Sequence, residues 1–270
     1  MITAVREPAV AGYFYPRSAE ALSQEIKLYT ALTGEKISAL ACVVPHAGYM
    51  YSGHVAGAVY GRLQLPRRFV ILCPNHTGYG RPLAVMTEGA WQTPLGQAQI
   101  DSELGAALRR ACPLLEEDDT AHRGEHAIEV QLPFLQAALP EFTFLPIAVG
   151  TARYEPLQAL GEAIAGLLRD QSDHIMLISS SDMNHYEPDD ITRVKDRKAI
   201  DKILALDPRG LYDVVMEESI SMCGFGPTVA ALTAARLLGA ASAEVIKYAT
   251  SADISGDRSA VVGYAGVVIQ

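Results

Sequence analysis

What the chain lacks narrows the field first. No apolar run approaches the ~18 residues of a membrane-spanning helix. Lys plus Arg number 22 against 31 Asp plus Glu, a net charge of −9, and the basic residues form no cluster. Neither a nucleic acid nor a membrane surface is therefore an expected partner. The four cysteines, at 42, 73, 112 and 223, make no CxxC spacing. Residues 1–8, Met-Ile-Thr-Ala-Val-Arg-Glu-Pro, carry no export-signal apolar region, so the expectation is a cytoplasmic protein with reduced thiols. Walker loops, G-x-G-x-x-G and G-x-S-x-G are also missing, which removes the common nucleotide and serine-hydrolase sites. There is no low-complexity tract and no linker.

What is present is a 49% hydrophobic chain of 270 residues, long enough for one α/β domain with a substantial core. Its organising stretch is residues 42–54, Cys-Val-Val-Pro-His-Ala-Gly-Tyr-Met-Tyr-Ser-Gly-His. Leu40 to Val44 reads as a buried strand that Pro45 stops. His46 thus falls at a strand's carboxyl end, where open α/β sheets keep their chemistry. Gly48 and Gly53 permit a tight reversal, and Val55 to Leu63 reads as helix. Phe69 to Gly78 repeats the design with Pro74, His76 and Gly78. Two strands delivering imidazoles to one rim suggest a metal site.

The rest of the chain alternates between the two periods. Residues 5–16 form an extended arm bounded by Pro8 and Pro16, and Ser18 caps a helix to Leu32. Strands are expected at 83–87 and 97–100, around a turn at 91–96, with a helix at 102–111. Residues 122–126 open a helix to about Leu139, although Pro133 should kink it or mark its true start. Then come strand 142–149, helix 156–169, strand 174–180, helices 190–206, 208–218 and 227–238, and strands 244–250 and 259–268. This alternation predicts a central mixed, largely parallel sheet with helices on both faces.

Candidate chemistry sits on a few residues. Cys223 precedes a helix whose N-terminal amides would favour thiolate. With His46 and His76 it would leave coordination positions open, as reactive sites do. Blue copper also uses two His and one Cys, but no weak axial ligand is evident. Asp182 and His185 follow strand 174–180 at i, i+3 spacing, His185 as acid/base and Asp182 fixing it, with helix capping by Asp182 the plainer alternative. His122-Arg-Gly-Glu125-His126 matches H-x-x-E-H, but Gly124 argues against the continuous helix that motif needs; more modestly, His126 reaches the cleft from the same helix as Glu129. Cys42, Cys73 and Cys112 read as buried small hydrophobes, and His54 and His174 as structural.

The segments Arg6-Glu-Pro-Ala-Val-Ala-Gly-Tyr-Phe-Tyr-Pro16, Pro45-His-Ala-Gly-Tyr49 with Ser52-Gly53, Pro74-Asn-His76, Glu125-His-Ala-Ile-Glu129, Ser181-Asp-Met-Asn-His-Tyr186 and Cys223-Gly224 together resemble the Memo family, also called AmmeMemoRadiSam system protein B. They span essentially the whole chain. The resemblance implies a class III extradiol dioxygenase-like fold. It also implies a non-haem metal on His46, His76 and Cys223, with the cysteine in the dioxygenases' carboxylate position. By the same resemblance His185 corresponds to the acid/base histidine. Glu125, His126, Tyr49 and Ser52 would support the ligands or touch substrate. Fe(II) is the implied metal, with Cu or Zn possible because thiolate is soft. Ring cleavage does not carry over with it. The family is often encoded beside radical-SAM and AMMECR-type proteins, which are the implied partners of a shared modification pathway. The substrate would be a small molecule or peptide. A rival reading is a non-catalytic peptide-binding cleft walled by Tyr13, Tyr15, Tyr49, Tyr51 and Trp91.

Overall fold

Apolar runs stopped by proline, glycine or polar residues become the strands, and 3.6-period runs between them become the helices. The computed structural model describes residues 5–31 and 34–270. The reading of residues 1–4 and the Leu32 end of the first helix lie outside the described residues. In chain order the first half runs β1 (Val5–Arg6), α1 (Ala19–Tyr29), β2 (Ala41–Val44), α2 (Tyr49–Arg62), β3 (Arg68–Pro74), β4 (Leu83–Val85), β5 (Ala90–Thr93) and β6 (Gly96–Ile100). There follow α3 (Ser102–Ala111), β7 (Glu116–Glu117), α4 (Thr120–Arg123), a 3₁₀ turn at Glu129–Gln131 and α5 (Leu132–Ala138). The second half holds β8 (Thr143–Val149), α6 (Tyr154–Arg169), β9 (Ile175–Ser180), β10 (His185–Glu187), α7 (Asp189–Leu204) and α8 (Pro208–Glu217). It closes with α9 (Phe225–Leu237), β11 (Ala243–Thr250), α10 (Ala252–Ser255) and β12 (Val261–Ile269).

These strands make one mixed sheet in the order β1-β5-β6-β8-β3-β9-β2-β12-β10, with β11 on β12, β4 on β8 and β7 on β4. Its centre, β8-β3-β9-β2, is parallel, and the antiparallel pairs lie toward the flanks. Side chains alternate across it. Phe69, Ile71 and Cys73 of β3 face one apolar layer, and Val70 and Leu72 the other. Helices α1, α2 and α5 cover the first face; α3 and α6 to α9 cover the second. Both faces are buried, so the central strands read as continuous apolar runs. Cys42, Cys73 and Cys112 lie in these layers as expected.

Three local expectations are corrected. Helix α2 starts at Tyr49, not Val55, and Gly53 makes no reversal: a Cβ there would stand 2.5 Å from the Tyr29 ring. The helix expected from His122 is broken into α4, the 3₁₀ turn and α5, with Pro133 in the first turn of α5. Trp91 sits in β5 and is fully buried, so the reversal is shorter, between Thr93 and Gly96.

Candidate functional site

Parallel neighbours β2, β9 and β3 end on one side of the sheet. Just beyond these ends stand His46, Asp182 and His76. The His46 backbone N–H donates to Asp182 Oδ1 at 2.8 Å, and the Ala47 N–H to the same oxygen at 3.3 Å. Asp182 thus ties the β2 and β9 ends together. It makes no hydrogen bond to His185, so the expectation that Asp182 fixes His185 is overturned; its oxygens serve the backbone of His46 instead.

Valence decides the tautomer of His46. Ser180 Oγ gives its one proton to the Ala127 carbonyl at 2.6 Å and accepts from Gln131 Nε2 at 2.9 Å. At 3.0 Å from His46 Nδ1 it can only accept again, so Nδ1 carries the proton and Nε2 keeps its lone pair. Gln131 is held in turn by Pro45 O and the Tyr60 hydroxyl. Burial, then the imidazoles of His126 and His76, hold His46 well below the usual histidine range.

His76 is oriented by a carboxylate. Its backbone N–H and its Nδ1 lie 2.6 and 2.9 Å from the two oxygens of Glu125. Glu125 also accepts the N–H groups of His126 and Ala127. Burial would raise this carboxyl, but the His76 hydrogen bond and charge, with help from His126 and the Ala127 amide, bring it down to about 2. For His76, burial pulls downward and the Glu125 hydrogen bond and charge outweigh it, so its pKa is raised. With Nδ1–H committed to Glu125, Nε2 is the free donor atom.

Cys223 lies in the loop before α9, with Sγ 3.2 Å from His46 Nε2 and accepting the Asp182 N–H at 3.3 Å. Gly224 lets the loop approach: a Cβ there would lie 2.4 Å from that of Ser181. The expectation that the helix N-terminus lowers the thiol pKa is overturned. Burial first, then the Asp182 carboxylate, push the thiol well up despite the Asp182 and Gly224 amides. The neutral thiol is therefore favoured, with its sulfur 3.2 Å from His46 Nε2 and 3.6 Å from the Asp182 carbonyl.

One donor atom from each of His46, His76 and Cys223 lies within 4.8 Å of the others. A second group of His76, Glu125 and His126 meets the same distance, but there Glu125 already accepts four N–H groups, three on Oε1 and one on Oε2, and its tie to His76 is a hydrogen bond from Nδ1–H. Two imidazole lone pairs and a thiol suit a borderline-soft metal ion, so the first group is the one whose chemistry fits.

Around it stand the remaining candidates. The His126 ring stacks on His76 at 4.7 Å and meets Phe14 at 4.8 Å and His46 at 5.4 Å. Burial, foremost, lowers its pKa. His185, on β10, directs Nδ1–H to the Ser221 carbonyl at 2.8 Å, so in the neutral ring Nε2 is the nitrogen with the lone pair. Ser221 is clamped through both N–H and Oγ by Asn184 Oδ1, each at 3.0 Å. Two candidates face elsewhere. The Tyr49 hydroxyl donates to Val130 O inside the aromatic core, and Ser52 Oγ to Ala47 O in the first turns of α2. Of the five aromatics of the rival wall, Tyr15, Tyr49 and Trp91 are core residues whose rings fill the layer under α2 and α5, whereas Tyr13 is exposed and Tyr51 partly buried. His122 is buried against Trp91 and shares no helix with His126, which removes the H-x-x-E-H reading.

Sequence reasoning gave no chemistry to Ser180, Gln131, Asn184 and Ser221, and none to Arg6 and Glu129. Arg6 and Glu129 form a buried ion pair at 2.7 Å, and Glu129 also accepts from Ala9 N, Val10 N and the Tyr15 hydroxyl. Their one signal was membership of the two segments, 6–16 and 125–129, that carry the family resemblance. Glu129 thus anchors the N-terminal arm and does not share a helix face with His126.

Known proteins bear on this arrangement. The Memo-like protein family profile matches residues 6–268. A MEMO1 family protein of Methanopyrus kandleri is 45% identical, covering 98% of this chain and 99% of its own. A MEMO1 family protein of Methanothermobacter thermautotrophicus is 41% identical, covering 97% of this chain and 99% of its own. Among solved structures, the uncharacterized protein JW3007 from Escherichia coli K12 shares the fold, with a TM-score of 0.56 and 14% identity over 84% of this chain and 98% of that one. The chain belongs to the Memo-like protein family.

Proposed function

We propose that this protein binds a redox-capable transition metal on His46, His76 and Cys223 and acts as an oxidoreductase related to class III extradiol dioxygenases. The observation that carries the reading is the convergence of one ring nitrogen from each of His46 and His76 with the Cys223 thiol, all within 4.8 Å, with each imidazole's Nδ1–H engaged in its own hydrogen bond. When bound, Fe(II), the first choice, or Cu would supply electron transfer and Lewis acidity. The chain's own contribution is order. Ser180 and Glu125 fix the two rings, and Asp182 locks the β2 end that carries His46. The Nε2 lone pair of the neutral His185 ring is available to take a proton from a substrate in the cleft. The thiol must surrender its proton to ligate, so affinity should rise with pH.

Binding Fe(II) or Cu(I) anaerobically tests this. The reading expects about one equivalent per chain and its loss in His46→Ala and Cys223→Ser. Less than half an equivalent, unchanged by His46→Ala, would contradict it.

A further inference from the structure

Arg6 lies in a two-residue strand at the far edge of the sheet, 116 positions from His122 and 123 from Glu129. Its guanidinium is buried, with Cζ 4.0 Å from the Trp91 ring centroid. Three of its corners meet one turn of the chain. Nε donates to His122 O at 2.6 Å, Nη2 to Glu125 O at 2.6 Å, and Nη1 to Glu129 Oε2 at 2.7 Å. Those acceptors bracket residues 122–129, the segment that supplies both the Glu125 carboxylate behind His76 and the His126 ring stacked on it.

Anchoring the N-terminal arm does not require this arrangement, because Glu129 takes Ala9 N, Val10 N and the Tyr15 hydroxyl independently of Arg6. The two carbonyl bonds have a different effect. They fix where the turn places Glu125, and Glu125 fixes the direction of His76 Nε2. A planar fork meets three acceptors in fixed directions, which a lysine ammonium cannot reproduce. We infer that Arg6 is a positioning residue for the metal centre, acting through the 122–129 turn and Glu125 on His76. This rests on the metal reading above.

The test uses the full chain, Arg6→Lys, and Leu160→Ala as a destabilised control in the opposite layer. Arg6→Lys keeps a cation for Glu129 and loses the fork. Two readouts are taken: Cu(I) affinity by chelator competition, and the hydrogen-bonded His76 Nδ1–H signal in ¹⁵N-histidine NMR of metal-free protein. The expected result is a ~10- to 100-fold loss of affinity and loss or displacement of the His76 signal in Arg6→Lys alone. If Arg6→Lys does not fold, Arg6→Gln combined with Glu129→Gln, which removes the fork and both buried charges together, should give the same pattern. Wild-type affinity with an unchanged His76 signal would overturn the inference, as would equal effects in Leu160→Ala. If the wild type binds no metal, the metal reading fails, and the His76 signal alone still decides the role of Arg6.

Discussion

The sheet's two faces are packed from different materials. Under α3 and α6 to α9 the fully buried layer is aliphatic, with Val, Leu, Ile, Ala, Met and one Cys. Under α1, α2 and α5 it contains Tyr15, Tyr49, Tyr60, Phe69, Trp91, Phe134 and Phe144. Aromatic side chains bring a large apolar area and, in tyrosine, a polar end that must be satisfied when buried. Here those ends are satisfied within the layer: Tyr60 holds Gln131, which leads on to Ser180 and His46, while Tyr15 holds Glu129 of the arm anchor and Tyr49 holds Val130 O. One face therefore stabilises the fold, and the other also transmits that stability to the site's histidines.

Mutations can break this comparison or sharpen it. Leu160→Ala in α6 should cost about 2–5 kcal/mol in urea unfolding while leaving metal affinity within about twofold, because the hydrogen bonds that orient His46 and His76 come from Ser180, Gln131 and Glu125 and involve no residue of α6. A shared loss of affinity would erase the distinction between the faces. The next effect depends on pH. The folded-state pKa of Glu125 is depressed from 4.5 to about 2, so its stabilisation is present above pH 4.5 and disappears as pH falls toward 2. A difference on the order of 3 kcal/mol between wild type and Glu125→Gln should close over that window in pH-dependent unfolding.

Smaller effects follow within the aromatic face. Gln131→Leu strands the Tyr60 hydroxyl and Pro45 O and should cost about 1–3 kcal/mol. It should also weaken metal binding by ~10-fold or more, since Ser180 loses the donor that fixes its role toward His46. Tyr60→Phe, one step further out, should cost about 0.5–1.5 kcal/mol with a change in affinity too small to resolve by chelator competition. An affinity loss as large as that of Gln131→Leu would show the relay runs differently.

Much of this was legible in the sequence, for identifiable reasons. Proline stops placed His46 and His76 at strand ends, and the sheet's parallel centre followed from the alternation of strand and helix. The buried relays were not legible. Ser180 sits in a Ser-Ser-Ser run and Gln131 beside a proline-containing helix start, and nothing local says that Ser180 meets an imidazole 134 positions away or that Gln131 meets Ser180 49 positions away. Cys223 shows the opposite failure. Its position before a helix suggested a thiolate, yet burial outweighs a few amide dipoles once the loop is pressed against Ser181 by Gly224. Tyr49 and Ser52 were assigned to the cleft by the family resemblance of the segment that carries His46. Helix α2 begins at Tyr49, and its first turns carry both side chains into packed protein.

X-ray absorption of the protein loaded with one equivalent of Zn²⁺, a redox-silent probe of the same donors, tests the central claim most directly. The account expects one sulfur at ~2.3 Å and two imidazole nitrogens at ~2.0–2.1 Å, with the sulfur lost in Cys223→Ser. A shell of nitrogen and oxygen only in the wild type, unchanged by Cys223→Ser, would contradict it.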